Sequence, residues 1–205
     1  MSYAKWSIRE SNIFEKWRQR VEKVFCVNRR LPEKVFQSGF SNFGFEEFDW
    51  AMSSEFWPSI QKLAQSSGDA SLVVGVLEPH PVSYHFQEFG YYNWVEIPST
   101  ASPDNYWDVL QHSPENHPAD AILINSEVVV WVPTSGAWGI WGERSYGICA
   151  LGLRNLKISE GQLNRSWRTV QGALQHILPN NFKDQKIPGE FAENFRSNFG
   201  GAKDK

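Results

Sequence analysis

Between Asp120 and Leu153 the chain reads DAILINSEVVVWVPTSGAWGIWGERSYGICALGL, and no other stretch narrows its fold as much. Short apolar runs rich in valine and aromatics, each bounded by turn residues, are strand signals. DAILINS and EVVVWV predict two strands on either side of Asn125-Ser126. Pro133-Thr134-Ser135-Gly136 predicts a turn, AWGIW a third strand, Gly142-Glu143-Arg144-Ser145 another turn, and YGICALGL a fourth strand. Consecutive strands joined by turns this short pair antiparallel, so the stretch predicts a meander. In AWGIW, Trp138 and Ile140 share one face, and Ala137, Gly139 and Trp141 share the other. The glycines let neighbouring rings lie flat over the sheet or permit a bulge.

The flanks carry a different period. Over residues 10–27, Ile13, Phe14, Trp17, Val21, Val24 and Phe25 recur at spacings of three and four, which predicts a helix capped by Ser11. Residues 36–50 mix phenylalanine with glycine and small residues and predict irregular structure or a short helix. Residues 54–66 predict a second helix with Pro58 in its first turn, where a missing N–H is harmless. From Leu72 the period becomes that of strands: SLVVGVLE, HPVSYHFQEFG and YYNWVEIP. Ser102-Pro103-Asp104 opens a helix with Tyr106, Trp107, Val109 and Leu110 on its apolar face. A helix over 159–178, started by Ser159 or Asn164, and a short one over 188–198 complete the chain. Helices, then strands, then helices predict an α+β fold rather than alternating α/β. The expected architecture is a single domain: a helical part over 10–66, a mostly antiparallel sheet over 72–153, and a helical part over 159–198. Helices from both ends of the chain flank the sheet.

At 205 residues the chain suits one ordinary core, and ten tryptophans with fourteen phenylalanines predict that large rings fill it. The two cysteines, Cys26 and Cys149, sit in apolar contexts and make no disulfide framework, which predicts free thiols in a reducing compartment. No run approaches the roughly 18 apolar residues of a membrane helix, and the first residues lack an apolar leader core. The expectation is a soluble cytoplasmic protein without a membrane role.

Charge is unevenly spread. The net charge is −3, yet between residues 46 and 143 Lys62 is the only lysine or arginine, among many carboxylates; the basic residues lie in the two ends. Two outcomes fit. The ends fold back and neutralise the middle, or the middle keeps an acidic face able to steer a cationic partner.

No motif supplies chemistry. Phosphate-loop and dinucleotide patterns are absent. Gly142 to Gly147 is one residue too long for a nucleophile elbow and falls in a hairpin, so Ser145 reads as a turn serine. His80, His85, His112, His117 and His176 follow no zinc spacing. Cys149 lies inside a strand, where a thiol is inert. Glu143-Arg144 reads as a solvated or salt-bridged turn pair. The basic helix from Lys16 to Lys23, with Arg29-Arg30, reads as a solvated face on a core helix rather than a nucleic-acid site. No cofactor and no metal are expected.

The stretch from Asp120 to Gly152, with its Ser-Gly turn and its W-x-x-W-x-E-R run, is similar to the immunity proteins of polymorphic, contact-delivered bacterial toxin systems. The similarity covers about 35 of 205 residues. It implies a cytoplasmic inhibitor that binds one toxin domain, and it carries over no catalytic residue. An acidic inhibitor suits a basic toxin such as a nuclease, because it occupies the groove meant for phosphates. The expected partner-binding residues are Glu78, Glu88, Glu96, Asp104, Asp108, Glu115, Asp120 and Glu127, with Tyr91 and Tyr92 as anchors; Trp94 is a further candidate. The competing expectations are an enzyme acting on a small polar molecule at a site without a known motif, and a protein that associates with itself through its aromatics.

Overall fold

A computed structural model describes residues 3–154 and 167–200. Six strands form the sheet: β1 (Asn42–Glu47), β2 (Ser71–Glu78), β3 (Trp94–Pro98), β4 (Val128–Pro133), β5 (Trp138–Glu143) and β6 (Ile148–Leu153). Their order is β1-β6-β5-β4-β2-β3, and every neighbouring pair is antiparallel. The expected meander is the run β4-β5-β6, with Trp131 opposite Ile140 and Trp141 opposite Ala150.

Alternation along these strands divides the interior into two cores. Val128, Val130, Val132, Trp141, Ile148 and Ala150 point to one face of the sheet. Val129, Trp131, Trp138, Ile140, Cys149 and Leu151 point to the other. A period of two turns every second side chain to the same face.

The first face is covered by α2 (Ser11–Val24), which buries Phe14, Trp17, Val21 and Val24, and by the ends of the chain. The opposite face is covered by α3 (Phe48–Ala51), α4 (Trp57–Ser67) and α5 (Pro103–Gln111), through Phe48, Trp57, Ile60, Leu63, Tyr106, Val109 and Leu110. Before them, α1 (Tyr3–Trp6) leads into Ser7-Ile8, which pairs with the outer edge of β3 through Ile8 N–H to Trp94 O at 2.9 Å and Tyr92 N–H to Ile8 O at 3.1 Å. The other edge is covered in the same way: Phe45 and Arg168 exchange backbone hydrogen bonds of 2.9 and 2.8 Å. Each edge strand therefore finds a partner within the chain, which blunts edge-to-edge aggregation.

Two close approaches explain glycines in the meander. A Cβ on Gly152 would lie 2.4 Å from the Phe36 ring, and one on Gly139 would lie 2.6 Å from Val24. Only hydrogen fits at these positions, so α2 and the chain after it settle directly on the sheet.

Several expectations need correction. HPVSYHFQEFG is not a strand; it forms a wide helical turn, Pro81–Phe86, continuing through Gln87–Phe89. The His80 imidazole opens it, with Nδ1 accepting from the Val82 and Ser83 N–H groups, and Pro81 follows at the first helical position. DAILINS is not a strand either. Asp120 closes a short helical turn, Pro118–Asp120, and the Ile124 and Asn125 N–H groups fold back to Ala121 O. The Ser126 hydroxyl donates to Ile122 O at 2.6 Å, so polar side chains satisfy backbone groups that a ladder would have used. Residues 36–50, expected to be irregular or helical, contribute edge strand β1 as well as α3. Ser11 is not the cap of α2. Glu10 holds that position without a side-chain cap bond, and the Ser11 hydroxyl accepts from Tyr92 Oη at 3.1 Å.

The start expected for the third main helix, at Ser159 or Asn164, lies outside the described residues. Arg168 is extended where a helix was expected. The helix α6 (Val170–His176) begins after Thr169, whose Oγ1 accepts from Gly172 N–H. The terminal helix α7 (Gly189–Phe199) packs through Phe191, Phe195 and Phe199.

Candidate interaction surface

The sheet sorts charge as well as apolar residues. The helix α2, with Lys16, Arg18, Arg20 and Lys23, lies on the first face together with Arg29, Arg30 and Lys34 of the following segment and Lys183, Lys186 and Arg196 near α7. The elements over the opposite face carry Asp49 on α3, Glu55 before α4, Asp104 and Asp108 on α5, and Glu115 in the loop after it. The basic ends also carry Glu15, Glu22, Glu33, Asp184, Glu190 and Glu193, with Glu15 and Glu22 paired to Arg18, so the sorting of charge across the sheet is partial.

The acidic middle of the chain therefore divides into two sets. Carboxylates that reach the basic side are absorbed there. Glu78 pairs with Arg30 at 2.9 Å. Glu96 accepts from Trp17 Nε1 at 2.9 Å and from the Ser71 hydroxyl at 2.7 Å. Others serve the sheet itself. Asp69 is buried and accepts from Thr134 Oγ1, Ser135 N–H and Ser135 Oγ at 2.7, 2.7 and 2.8 Å, pinning the turn between β4 and β5. Glu127 accepts from Ser145 N–H at 3.0 Å. Glu143 is buried and accepts from Leu31 N–H and Trp141 Nε1, both at 3.1 Å; burial raises its pKa. The expected Glu143–Arg144 turn pair does not form as such. Arg144 turns away to the Ser126 and Leu123 carbonyls, each at 2.8 Å, and lies over the Phe48 ring.

The second set faces outward. Glu88, Asp104 and Glu115 are exposed and make no ion pair with a Lys or Arg among the described residues. The basic residues on this side are Lys62 on α4, Lys5 and Arg9 from the N-terminal arm, and Arg144. Arg9 rests over the Tyr91 ring, and Arg144 is committed to carbonyls as above. The side is acidic in balance but not free of cations.

Exposed rings accompany these carboxylates. Trp50, Trp107, Tyr84, Val82 and Ile124 are five of the six large apolar residues exposed among those described; Ile13 on α2 is the other. None of the five was expected as an anchor, and Trp107 was expected in the core. Helical spacing holds the signal that was missed. Tyr106, Val109 and Leu110 share the buried stripe of α5, while Asp104, Trp107 and Gln111 share the outer one. The expected anchors are corrected in turn: Tyr91 and Tyr92 are 8% and 4% exposed, and Trp94 is 1% exposed. Tyr92 stacks on Phe14 with ring centroids 3.9 Å apart, inside the core.

One corner draws several of these groups together. Tyr84 Oη donates to Asp120 Oδ1 at 2.6 Å, and Asn125 Nδ2 donates to the same oxygen at 2.7 Å. His117 Nδ1 lies 3.8 Å from Asp120 Oδ2. The Phe89 ring meets His117 at 5.1 Å and the buried His85 at 4.8 Å. His85 Nδ1 donates to Tyr91 O at 2.9 Å, and burial lowers its pKa. The corner thus joins the helical segment 81–89 to the turn 118–125, the two segments misread as strands.

Among the described residues, nothing else gathers into a reactive set. Cys149 is fully buried and its pKa is pushed up by burial, which keeps it a thiol. Ser145 is exposed in its turn. No group of three or more His, Cys, Asp or Glu side chains is placed to hold a metal among the described residues. No described helix is long and apolar enough to cross a membrane. Comparisons with protein-family models, with curated proteins and with solved structures find no match.

Proposed function

We propose that this chain is a cytoplasmic, stoichiometric protein-binding inhibitor, an immunity protein that neutralises a basic toxin domain through its acidic helical side. The observation that supports this reading is a set of exposed carboxylates that make no ion pair with a Lys or Arg among the described residues. Glu88, Asp104 and Glu115 stay outward while the basic termini cover the other face. Uncovered like charges with a low-dielectric protein behind them attract a partner of opposite sign and raise its association rate by about 10–10³-fold. Exposed Trp50, Trp107 and Tyr84 supply the large rings that dominate binding energy when a partner desolvates them.

Catalysis has no part in this reading, because the groups best suited to chemistry are occupied in holding the fold. Glu143 and Asp69 are engaged by backbone and side-chain donors, and Cys149 is sealed in the sheet. The test is co-purification of the full chain with the product of the neighbouring reading frame, at low and at high salt. A complex that weakens in salt is expected. No complex at either salt overturns the proposal.

A further inference from the structure

The corner between residues 81–89 and 118–125 concentrates exposed apolar surface. Val82, Tyr84 and Ile124 are 37%, 39% and 57% exposed, and Ile124 is the most exposed large apolar residue of those described. Such groups recur at protein interfaces when they form one patch. Here the Tyr84–Asp120–Asn125 hydrogen bonds tie the two segments together, so Tyr84 and Ile124 belong to one surface. Asp120 holds the phenol, and the charge of Glu88 also reaches it, adding to the rise in the Tyr84 pKa. The Asp120 side chain is only 11% exposed and its Oδ1 already accepts two hydrogen bonds, so the carboxylate left to a partner is that of exposed Glu88; an exposed aromatic ring with a carboxylate close by is what a guanidinium recognises. The plane stacks on the ring, while its N–H groups meet the carboxylate. The neighbouring Ile124 suits an apolar side chain beside that arginine. No lysine or arginine occurs between Lys62 and Arg144 in the sequence, so neither segment of the corner supplies one; the nearby basic groups are Arg9, over the Tyr91 ring, and His117, 3.8 Å from Asp120 Oδ2.

We infer that this corner is a docking point for an arginine-bearing apolar segment of a protein partner, with Tyr84 and Ile124 as the apolar contacts, Glu88 as the charge contact and Asp120 holding the Tyr84 phenol in place. The inference rests on the reading of the acidic side as an interaction surface and adds where the partner's side chain enters.

The test is an NMR amide titration of the full chain with a short synthetic leucine-arginine peptide and its leucine-citrulline counterpart, which keeps shape and loses charge. The arginine peptide shifts amides of residues 82–89 and 118–126. The citrulline peptide binds at least about tenfold more weakly, the loss of one desolvated charge contact. Ile124→Lys, a change at an exposed position that leaves the Asp120 bonds in place, abolishes the shifts. Shifts confined to Asp104, Glu55 or Asp49 overturn the corner while leaving the acidic side as the binding surface. Equal binding of both peptides, no shift with either, or corner shifts that follow the concentration of the chain alone also overturn it; the last marks a second copy as the occupant. The two proposals separate cleanly. If Ile124→Lys and Tyr84→Ala still co-purify with the toxin at wild-type affinity, the corner falls and the inhibitor stands. If the peptide binds but no toxin does, the corner stands and the inhibitor falls.

Discussion

The meander β4-β5-β6 and the corner at 81–89 and 118–125 are built from similar residues and do opposite things with them. Both are rich in rings and branched chains, and both read as strands in the sequence. In the meander every residue of all three strands is buried. In the corner, Tyr84, Val82 and Ile124 are turned outward. What separates the two is how the backbone satisfies its polar groups. In the meander the ladder takes them, so side chains alternate between two cores. In the corner, the His80 ring, the Ser126 hydroxyl and the Ala121 carbonyl take them locally, so the backbone coils and one side of each coil faces water. The same composition thus yields a closed scaffold in one place and an open surface in the other.

The largest expected effects lie in the scaffold. Trp131→Ala removes a fully buried ring and the hydrogen bond from its Nε1 to Tyr106 Oη, and is expected to cost about 3–5 kcal/mol in urea denaturation. Gly152→Ala drives a methyl into the Phe36 ring and is expected to cost about 1–3 kcal/mol. A comparable change in the corner, Tyr84→Ala, should lower stability by about 1 kcal/mol or less, because the ring is exposed and one hydrogen bond is lost. If Tyr84→Ala costs as much as Trp131→Ala, the corner is core and the contrast fails.

Asp69→Ala is expected to fall between these, at about 1–3 kcal/mol, since it leaves the buried-side donors of the Thr134-Ser135 turn without an acceptor. Thermal unfolding reads it directly; a change below that range means that water replaces the carboxylate.

Acidification should move the two regions in opposite directions. Burial raises the Glu143 pKa above its usual 4.5, so its contribution to stability is present below that value and is lost as pH rises through the folded pKa. Burial lowers the His85 pKa below its usual 6.5, so its contribution is present above that value and is lost as pH falls through the folded pKa. Hydrogen exchange compared across this range should show the corner opening first as pH falls from neutral. Glu143→Gln should remove the gain of the scaffold at lower pH. Uniform opening of both regions would break the comparison.

Much of this contrast was legible beforehand. The β4-β5-β6 meander, the stripe of α2, the Ser102 start of α5 and the α+β class all follow from period and punctuation. Ser102 indeed accepts from Asn105 N–H, while the Asn105 side chain answers to the Ser102 backbone. The strand β1 was hidden because Gly44 and the flanking phenylalanines imitate a loop; its pairing partner, β6, is more than a hundred residues away. The corner was hidden because Val82, Tyr84, Ile122 and Ile124 imitate alternation, and only the capping by His80 and the Ser126 hydroxyl bond to Ile122 O decide otherwise. The acidic side was half legible. Charge asymmetry announced it, but which carboxylates stay outward depends on which face of the sheet each element reaches. That is why Glu78 and Glu96 are absorbed while Glu88, Asp104 and Glu115 are not.

The smallest expected effect on folding is that of Ile124→Lys, within about 0.5 kcal/mol, as for other surface changes away from caps and cores. Its effect on binding is expected to be large.

The most direct measurement is the association rate of the full chain with the basic protein partner proposed for it across a range of salt, beside a variant carrying Glu88→Gln, Asp104→Asn and Glu115→Gln. The variant should associate at least about tenfold more slowly at low salt and lose most of the salt dependence. A variant that associates as fast as the unmodified chain, with the same response to salt, would contradict the claim that these outward carboxylates draw the partner in.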